Sequence, residues 1–341
     1  MLTRIFEIAI IGAGPGGLSM AVEARYADIP SDRILILEKG ERHSWAIRHH
    51  YPDDKLVLQN YKGFDVMPEG ALGIDDLTKD ETLSYLERAI VEHRLHVNYG
   101  ETVKKIKPRD DGGFQILTTR DTYIAKNCAI AIGILEKPNK PDYPVPRSLK
   151  PKVHHDISPG ILEDQNYLVV GGGDTAFERA SYLCRLGKRV TLSYRQDDFT
   201  RLSDTCRRNL SELEKSGLIA ILRSSNIVKI ENAKGLPRIT FQEGTYGVRL
   251  YDHVIYCLGG STPREFLEST GIEFDGESPV VGDGYETNVP GLFLIGDLSA
   301  GFKGGSVNWA FNSSHAAMRK ICDKYLMKSR RSKGASETFS R

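Results

Sequence analysis

Two glycine-rich segments, 12–17 and 171–176, constrain the fold of this 341-residue chain more than any other feature. They read GAGPGG and GGGDTA, and each stands between an apolar run and a segment with helical spacing. One G-x-G-x-x-G match alone is a weak signal, because glycine is common in loops. The order strand, glycine turn, helix, strand is more specific and is typical of dinucleotide-binding α/β folds. The sequence therefore predicts two such folds and two bound dinucleotides.

The first glycine-rich segment has a separate task for each of its glycines. Gly12 makes the tight turn, Gly14 lets the backbone approach a pyrophosphate, and Gly17 lets the following helix lie close to the sheet. The free N–H groups and the positive dipole end of that helix then face the phosphates. Glu38 ends the next apolar run, about 20 residues further on, where a carboxylate accepts hydrogen bonds from ribose hydroxyls. This context disfavours a purely structural glycine turn.

The second glycine-rich segment repeats this order with one change. The strand predicted at 189–193 leads to Arg195 instead of an acidic residue. A carboxylate there would repel a 2′-phosphate, whereas an arginine can hold one through charge-assisted hydrogen bonds. Arg201 adds a second positive charge nearby. The sequence thus predicts NADPH over NADH, with an ordinary solvated arginine as the alternative interpretation of Arg195.

Length and charge exclude several other classes of protein. At about 100–200 residues per domain, the chain length predicts two domains. The 46 basic and 45 acidic side chains nearly cancel, so nothing indicates binding to nucleic acid or to an anionic membrane. No run approaches the ~20 apolar residues of a membrane helix, and no signal segment precedes the first predicted strand. These features predict a soluble cytoplasmic protein.

The five cysteines do not form a recognisable framework. They are odd in number, widely spaced and never in a C-x-x-C pair, so neither a disulfide scaffold nor a metal site is predicted. Four of them stand in apolar strand-like or helix-like runs and are predicted to be small core residues. Cys206 stands in a polar stretch and is predicted to be the most exposed cysteine. The other four are Cys128, Cys184, Cys257 and Cys322.

Two polar segments allow more than one interpretation. His154, His155 and Asp156 are interpreted as a solvated linker segment instead of a metal site, because adjacent histidines rarely share one tetrahedral ion. The basic and aromatic segment 41–51 could cover a bound nucleotide or steer an acidic electron carrier. Equally, it could be an ordinary loop over the cofactor.

The order of the motifs indicates that one domain is inserted in the other. Two similar strand-like runs, 129–133 and 255–260, end in glycine and mark the crossings between the domains. The first is followed by a proline-rich stretch that suits a linker. The predicted boundaries give a first domain at 1–140 and 259–327, an inserted domain at 141–258 and a disordered tail at 328–341.

The end of the chain is predicted to return to the first domain. The apolar run 289–295 delivers Gly296 and Asp297 to a strand end, and a helix is predicted from Ser306 to about residue 326. The N-terminus of that helix could point at a flavin ring, where its dipole stabilises the charge that builds near N1 on reduction. The same helix must also pack against the core.

In combination, these motifs resemble the thioredoxin-reductase-like branch of the two-dinucleotide-binding flavoproteins, over about residues 5–327. The resemblance implies the α/β class, with two Rossmann-like domains of three-layer ββα/βα type and the NADPH domain inserted in the FAD domain. It also implies a homodimer. The residues it assigns to FAD are Gly12, Gly14, Pro15, Gly16, Gly17, Glu38, Gly296, Asp297, Ser306 and Val307. Those it assigns to NADPH are Gly171, Gly172, Gly173, Asp174, Thr175, Ala176, Arg195 and Arg201.

The chain departs from that branch in its thiols. In thioredoxin reductases the redox dithiol lies shortly before the second fingerprint, and the corresponding stretch here, 153–160, contains no cysteine. A related group of low-molecular-weight disulfide reductases has a cysteine within the first fingerprint, where this chain has Gly16 and Gly17. Without a dithiol, electrons cannot reach a protein disulfide by thiolate attack. The resemblance is therefore closest to NADPH-dependent flavodoxin, ferredoxin or quinone reductases.

The sequence thus predicts an FAD-dependent NADPH oxidoreductase that passes electrons to flavodoxin, ferredoxin or a quinone. Hydride transfer needs the two rings about 3–3.5 Å apart, so positioning is the main task and no catalytic acid, base or nucleophile is predicted. Two alternatives stay open, namely a disulfide reductase using an unpaired thiol such as Cys206, and a redox sensor with little turnover. A monooxygenase is disfavoured, because Lys150 and Ser158 replace the glycine and tryptophan of its F-x-G-x-x-x-H-x-x-x-W signature.

Overall fold

The chain forms two compact units, which we call unit 1 and unit 2. Unit 1 consists of Met1–Glu136 and Thr262–Arg341, and unit 2 consists of Lys137–Ser261, so unit 2 is an insertion in the sequence of unit 1. The predicted tail, 328–341, lies outside the residues that the structure describes. The computed structural model describes residues 4–51, 55–61, 64–134, 138–157, 161–242, 244–259, 263–276, 278–300 and 305–326.

The first part of unit 1 alternates strands and helices. Its strands are β1 (Ile5–Ile11), β2 (Ile34–Leu37), β3 (Leu56–Val57), β4 (Asn60–Tyr61), β5 (Phe64–Asp65), β6 (Leu77–Thr78), β7 (Val97–Asn98), β8 (Val103–Pro108), β9 (Phe114–Thr118) and β10 (Thr122–Ile130). Its helices are α1 (Pro15–Tyr26), α2 (Trp45–His50) and α3 (Lys79–Glu92). Helix α3 begins at a capping box, in which the Thr78 hydroxyl accepts from the Glu81 N–H and the Glu81 carboxylate accepts from the Thr78 N–H.

Unit 2 follows the same alternation and adds an antiparallel sheet. Its strands are β11 (Val153–His154), β12 (Asn166–Val170), β13 (Arg189–Ser193), β14 (Ile219–Leu222), β15 (Ile227–Ala233), β16 (Leu236–Phe241), β17 (Val248–Leu250) and β18 (His253–Tyr256). Its helices are α4 (Asp174–Arg185) and α5 (Asp204–Lys215). The chain then returns to unit 1 with α6 (Arg264–Glu268), β19 (Phe274–Asp275), β20 (Ser278–Pro279), β21 (Leu292–Leu294), α7 (Asp297–Ala300), α8 (Val307–Ile321) and a π-helical turn at Cys322–Leu326.

The main sheet of unit 1 brings four strand ends to one edge. Its order is β7-β2-β1-β10-β9-β8, with β21 also beside β10. Strand β10 is long enough to pair antiparallel with β9 through its first half and parallel with β21 through its second half. Because β2, β1, β10 and β21 run parallel, the residues that follow them meet at the same edge. That edge carries the first glycine-rich segment, Glu38 and Gly296.

Both faces of this sheet are covered, which explains why its parallel strands read as continuous apolar runs. On one face, Ile8 and Ile10 of β1 pack with helices α1, α3 and α8. On the other face, Ala9 and Ile11 pack with the antiparallel strands and with Leu267 of α6. Among the helices that the structure describes, none combines the length and the apolar character needed to cross a membrane.

The parallel sheet of unit 2 has the order β11-β18-β12-β13-β14. Phe177 of α4 and Leu210 of α5 contribute to the core on one face, while Ile239 of the antiparallel sheet β15-β16-β17 contributes to the core on the other. Strands β18, β12 and β13 are parallel, so their carboxyl ends share an edge that carries the second glycine-rich segment. The predicted α/β class with two Rossmann-like folds is confirmed.

Candidate functional site

The loop between β1 and α1 requires its glycines for steric reasons. Gly12 has a φ of +104°, and a Cβ on it would lie 2.7 Å from the Ala131 carbonyl oxygen. A Cβ on Gly17 would lie 1.9 Å from the Gly12 carbonyl oxygen, so only glycine lets α1 begin this close to the strand. A Cβ on Gly14 would meet nothing within 4 Å, which leaves open space at the start of the helix. Pro15 occupies the first helical position, where the missing N–H costs nothing.

Glu38 is oriented toward this loop by two backbone hydrogen bonds. Its carboxylate is buried, and Oε2 accepts from the Ala13 N–H at 2.7 Å while Oε1 accepts from the Gly40 N–H at 2.8 Å. Each carboxylate oxygen can accept a further hydrogen bond. The carboxylate is therefore fixed beside the glycine loop with acceptor capacity left for ribose hydroxyls.

The return strand β21 ends against the same loop. A Cβ on Gly16 would lie 3.7 Å from both the Gly296 Cα and the Ala310 Cβ, so small residues let the first loop, the strand end and α8 meet. Gly296 has a φ of +69°, and its N–H donates to Ser313 Oγ of α8 at 2.9 Å. The structure thus brings the predicted Gly296 to the first glycine-rich segment.

Asp297 links the strand end to the start of α8. Its Oδ1 accepts from the Gly305 N–H at 2.7 Å. Ser306 then caps α8, because its Oγ accepts from the Trp309 N–H at 3.2 Å. Val307 is the first residue of the helix and is buried. The predicted helix start at Ser306 is confirmed.

Sequence reasoning missed how the segment 41–51 contributes to this site. The segment contains helix α2 and a buried His43, so it is not an ordinary loop. Ser44 has φ 54° and ψ 44°, and its N–H donates to the Ala13 carbonyl at 2.8 Å. His43 Nε2 lies 2.7 Å from Glu87 Oε2 of α3, and burial lowers the pKa of His43. Neither the left-handed backbone of Ser44 nor the burial of His43 produces a periodic pattern in the sequence, so this arrangement could not be predicted from it.

The second glycine-rich segment lies at the carboxyl edge of the unit 2 sheet. A Cβ on Gly171 would lie 2.4 Å from the Cys257 carbonyl oxygen, so the turn passes directly over β18. Gly173 caps α4, and a Cβ on it would meet nothing within 4 Å. Ala176 is buried in the first turn of that helix, whereas Thr175 is exposed. The geometry repeats that of the first segment.

Tyr194, which the sequence prediction did not assign to the site, lies across this loop. A Cβ on Gly172 would lie 2.1 Å from Cε2 of the Tyr194 ring, so the ring occupies the space that a side chain at 172 would need. The ring is buried, its hydroxyl donates to Gln196 Oε1 at 2.9 Å, and its centroid lies 4.9 Å from that of Phe199. The contact is tertiary, and no local pattern signals it.

The other predicted NADPH residues differ in their surroundings. The Asp174 carboxylate is buried and accepts from the Ser203 N–H at 2.8 Å, which ties the start of α4 to the start of α5. Arg195 and Arg201 are exposed, and neither has a hydrogen bond or ion pair to another residue in the described ranges. Their guanidinium groups are thus available to an anionic ligand.

The cysteines are all present as free thiols. Burial raises the pKa of Cys206 to about 12 and that of Cys184 to about 11. Burial also raises the pKa of Cys128 and of Cys257. Cys128 and Cys184 are buried, as predicted for core residues, whereas Cys257 and Cys322 are only half-buried. Cys206 is half-buried against the core of unit 2 and does not stand apart from these two.

The segment around His154 is also not the solvated linker that the sequence suggested. Val153 and His154 form β11, which pairs with β18, and His154 Nε2 lies 2.9 Å from His253 Nδ1. His253 Nε2 in turn lies 2.8 Å from Asp164 Oδ2. Within the described residues, no group of three or more histidine, cysteine, aspartate and glutamate side chains could hold a metal ion.

Comparisons with known proteins agree with this geometry. The family model described as pyridine nucleotide-disulphide oxidoreductase matches residues 9–296. The chain is 28% identical to a ferredoxin–NADP reductase of Ignicoccus hospitalis, over 86% of this chain and 90% of that protein. It is 26% identical to bacilliredoxin reductase Bdr of Bacillus subtilis, over 90% and 95% respectively.

Among solved structures, the bacillithiol disulfide reductase Bdr (YpdA) of Staphylococcus aureus has the same fold. Its TM-score is 0.80 at 24% sequence identity, and the match covers 95% of this chain and 100% of that one. The family match spans both glycine-rich segments and ends at Gly296. The resemblance predicted from the sequence is confirmed.

Proposed function

The chain belongs to the pyridine nucleotide-disulphide oxidoreductase family, and we propose that it transfers electrons from NADPH through FAD to a carrier protein of the ferredoxin or flavodoxin type. It is a flavoprotein oxidoreductase that uses FAD and NADPH. When bound, FAD accepts a hydride from NADPH and releases electrons singly, which is what such a carrier requires.

The geometry of unit 1 supports FAD there. The open space at Gly14 faces the start of α1, whose N–H groups and dipole suit a pyrophosphate. The fixed carboxylate of Glu38 suits ribose hydroxyls, and Asp297 stands at the same sheet edge for the ribitol chain. These residues orient the cofactor, and none of them has to transfer a proton.

The geometry of unit 2 supports NADPH. The loop at Gly171 and Gly173 and the start of α4 suit the pyrophosphate in the same way. The two exposed arginines, Arg195 and Arg201, offer the charge that a 2′-phosphate needs. Strand β13 is followed by Tyr194 and Arg195, so the acidic residue that would repel a 2′-phosphate is absent from that position.

The state of the thiols is the observation that best supports a carrier protein over a disulfide as the acceptor. All five cysteines lie in the described part of the chain, they form no disulfide, and no two are spaced as C-x-x-C. The thiolate is the nucleophile in disulfide exchange, and burial raises the pKa of Cys206 to about 12, which disfavours its thiolate at neutral pH. An acceptor that takes single electrons needs no thiol, so a carrier protein fits best.

A disulfide reductase is the second candidate, because relatives of this chain include bacilliredoxin reductase Bdr. That activity would require one of the unpaired thiols, and Cys206 is the first to test because it lies on α5 beside Asp174 of the second fingerprint. We expect Cys206→Ala to retain full turnover. Loss of disulfide turnover in this variant, with carrier reduction intact, would favour the second candidate.

The proposed function is tested by NADPH-driven reduction of cytochrome c. We expect the purified yellow protein to reduce cytochrome c only when ferredoxin or flavodoxin is added, and to be inactive with bacillithiol disulfide and with oxidised thioredoxin. Arg208→Ala changes an exposed arginine on α5 and is the matched control for Cys206→Ala, since it reports the general effects of a mutation on that helix. Carrier-independent activity with the disulfides would overturn the proposal.

A further inference from the structure

The segment 66–74 of unit 1 has no regular secondary structure and is held by side chains of helix α8. Asn308 makes the central contacts, since its Oδ1 accepts from the Ile74 N–H at 3.0 Å and its Nδ2 donates to the carbonyls of Ile74 at 2.8 Å and Val66 at 3.1 Å. Asn308 is 1% exposed. Both ends of the segment are thus joined by one buried amide.

A second asparagine, one helical turn further along α8, repeats this arrangement on the middle of the segment. Asn312 Oδ1 accepts from the Glu69 N–H at 3.0 Å, and its Nδ2 donates to the Met67 carbonyl at 2.8 Å. Residues four apart on a helix lie on the same face, so the amides of Asn308 and Asn312 line one face of α8. We call this pair of side chains the rail.

Helix α1 completes the attachment through a buried carboxylate. Glu23 Oε1 accepts from the Ala71 N–H at 2.6 Å, and Glu23 Oε2 lies 3.0 Å from His315 Nδ1 of α8. A Cβ on Gly70 would lie 2.2 Å from Glu23 Oε1 and 2.9 Å from His315 Cβ, so glycine lets the segment approach both side chains closely. The backbone of the segment is therefore fixed by three side chains, namely Asn308 and Asn312 of α8 and Glu23 of α1.

The position of this rail gives it a role in the proposed FAD site. Asn308 is the second residue of α8, two residues after the cap at Ser306, and the Gly305 N–H donates a hydrogen bond to Asp297 Oδ1. The segment is thus attached at the helix end that Asp297 adjoins. Leu72 and Ile74 of the segment pack in the core of unit 1, while Met67 is 62% exposed.

We propose that Asn308 and Asn312 are positioning residues for the flavin, and that the segment they hold, with its exposed Met67, forms one wall of the FAD site. This inference rests on the proposed function only in placing FAD on unit 1. The asparagines act through the segment and need no contact with the cofactor. The requirement is a rigid wall, because a displacement of about 1 Å at a reacting ring costs up to ~100-fold in rate.

The test compares Asn308→Ala and Asn312→Ala with Asn127→Ala, all in the full chain loaded with FAD. Asn127 is the matched control, since it is also 1% exposed and in unit 1, but it bonds to the Glu7 carbonyl on β1. Collisional quenching of flavin fluorescence by iodide reports access to the ring, and FAD titration of the apoprotein reports affinity. We expect both rail variants to increase the iodide quenching constant at least about twofold and the FAD dissociation constant about tenfold. The reason is that the segment 66–74, which shields the flavin, is held less firmly.

Met67→Ala keeps the test decisive if a rail variant does not fold, because an exposed side chain can be truncated without cost to the core. We expect it to raise iodide quenching, with Val91→Ala, a 69% exposed residue on α3, unchanged. The proposal is overturned if Met67→Ala leaves iodide quenching unchanged. It is also overturned if iodide quenches the flavin in Asn308→Ala and Asn312→Ala no more than in Asn127→Ala. Neither readout involves the electron acceptor, so failure of the proposed function would be seen separately, as wild-type protein that binds FAD but reduces no carrier.

Discussion

At the scale of single residues, the identity of each loop glycine follows from the atoms around its Cα. The roles of Gly12 and Gly17 could be predicted from the fingerprint alone, and the backbone contacts that a Cβ would make agree with them. The need for glycine at 172 could not be predicted, because the obstructing atoms belong to Tyr194 at the end of the next strand. Fingerprints encode contacts within one turn, whereas this contact depends on how the following strand places its last side chain.

We expect Gly172→Ala to weaken both folding and NADPH binding. The added methyl group would lie within 2.3 Å of the Tyr194 ring, and overpacking of this kind typically costs about 1–3 kcal/mol in the free energy of unfolding. The displaced ring would also disturb the loop, so the KM for NADPH should rise while FAD content stays at the wild-type level. Urea unfolding and steady-state kinetics measure the two effects.

The Tyr194→Ala background supplies the control for this prediction. If the clash is the cause, Gly172→Ala should cost much less once the ring is absent, which appears as a coupling energy in a double-mutant cycle. Strictly additive effects would show that Gly172 is required for another reason, such as the approach of the ligand itself.

At the scale of elements, long apolar runs were predictable and short polar ones were not. The sequence predicts a helix from Ser306 to about residue 326, and the structure has α8 at Val307–Ile321 followed by the π-helical turn at Cys322–Leu326. Strand β11 was missed, because two residues carry no period and a histidine pair resembles a solvated segment. Helix α2 was missed for a similar reason, since its six residues are held by His43 and Ser44 instead of an apolar stripe.

The contact between His154 of β11 and His253 of β18 predicts that the stability of the protein depends on pH. Burial, together with the charges of His253 and Lys152, lowers the pKa of His154 to about 4. The unfolded chain binds a proton at His154 below about pH 6.5, whereas the folded chain does so only near pH 4. The free energy of unfolding should therefore fall as the pH is lowered through this window, by at most about 3 kcal/mol.

Neighbouring groups modify this window in known directions. Burial lowers the pKa of His253 as well, which adds to the loss of stability, whereas the stabilisation from Asp164 is lost only below the ordinary carboxyl pKa of about 4. We expect His154→Gln to flatten the dependence of the melting temperature on pH between 7 and 5. His96→Gln, at an exposed position of unit 1, should keep the wild-type slope. An unchanged slope in His154→Gln would refute the assignment.

At the scale of the whole molecule, the sequence could predict the insertion but not the acceptor. The insertion is visible because each crossing follows a strand that ends in glycine and because the fingerprints keep their order along the chain. The acceptor has no such signature, since docking surfaces are assembled from scattered side chains. In the sequence the cysteines argue against a disulfide acceptor only because no two of them are spaced as C-x-x-C. The structure adds that burial raises the pKa of Cys128, Cys184, Cys206 and Cys257.

The proposal that unit 1 holds FAD and unit 2 holds NADPH predicts that binding of the two cofactors can be altered separately. Hydrogen bonds to charged groups contribute about 1.5–3 kcal/mol, so removing one should lower the affinity for the bound cofactor about tenfold or more. We expect Glu38→Gln to raise the FAD dissociation constant with the KM for NADPH unchanged at saturating FAD. Arg195→Ala should raise the KM for NADPH and leave both FAD affinity and the KM for NADH unchanged.

The NADH measurement carries the interpretation of Arg195. A guanidinium that binds the 2′-phosphate has no partner in NADH, so its loss should be silent with that coenzyme. Arg208→Ala, another exposed arginine of unit 2, should change neither KM. An equal rise in both KM values would mean that Arg195 supports the loop instead of reading the phosphate, and the preference for NADPH would then depend on Arg201. A change in FAD affinity on removing Arg195 would contradict the separation of the two sites itself.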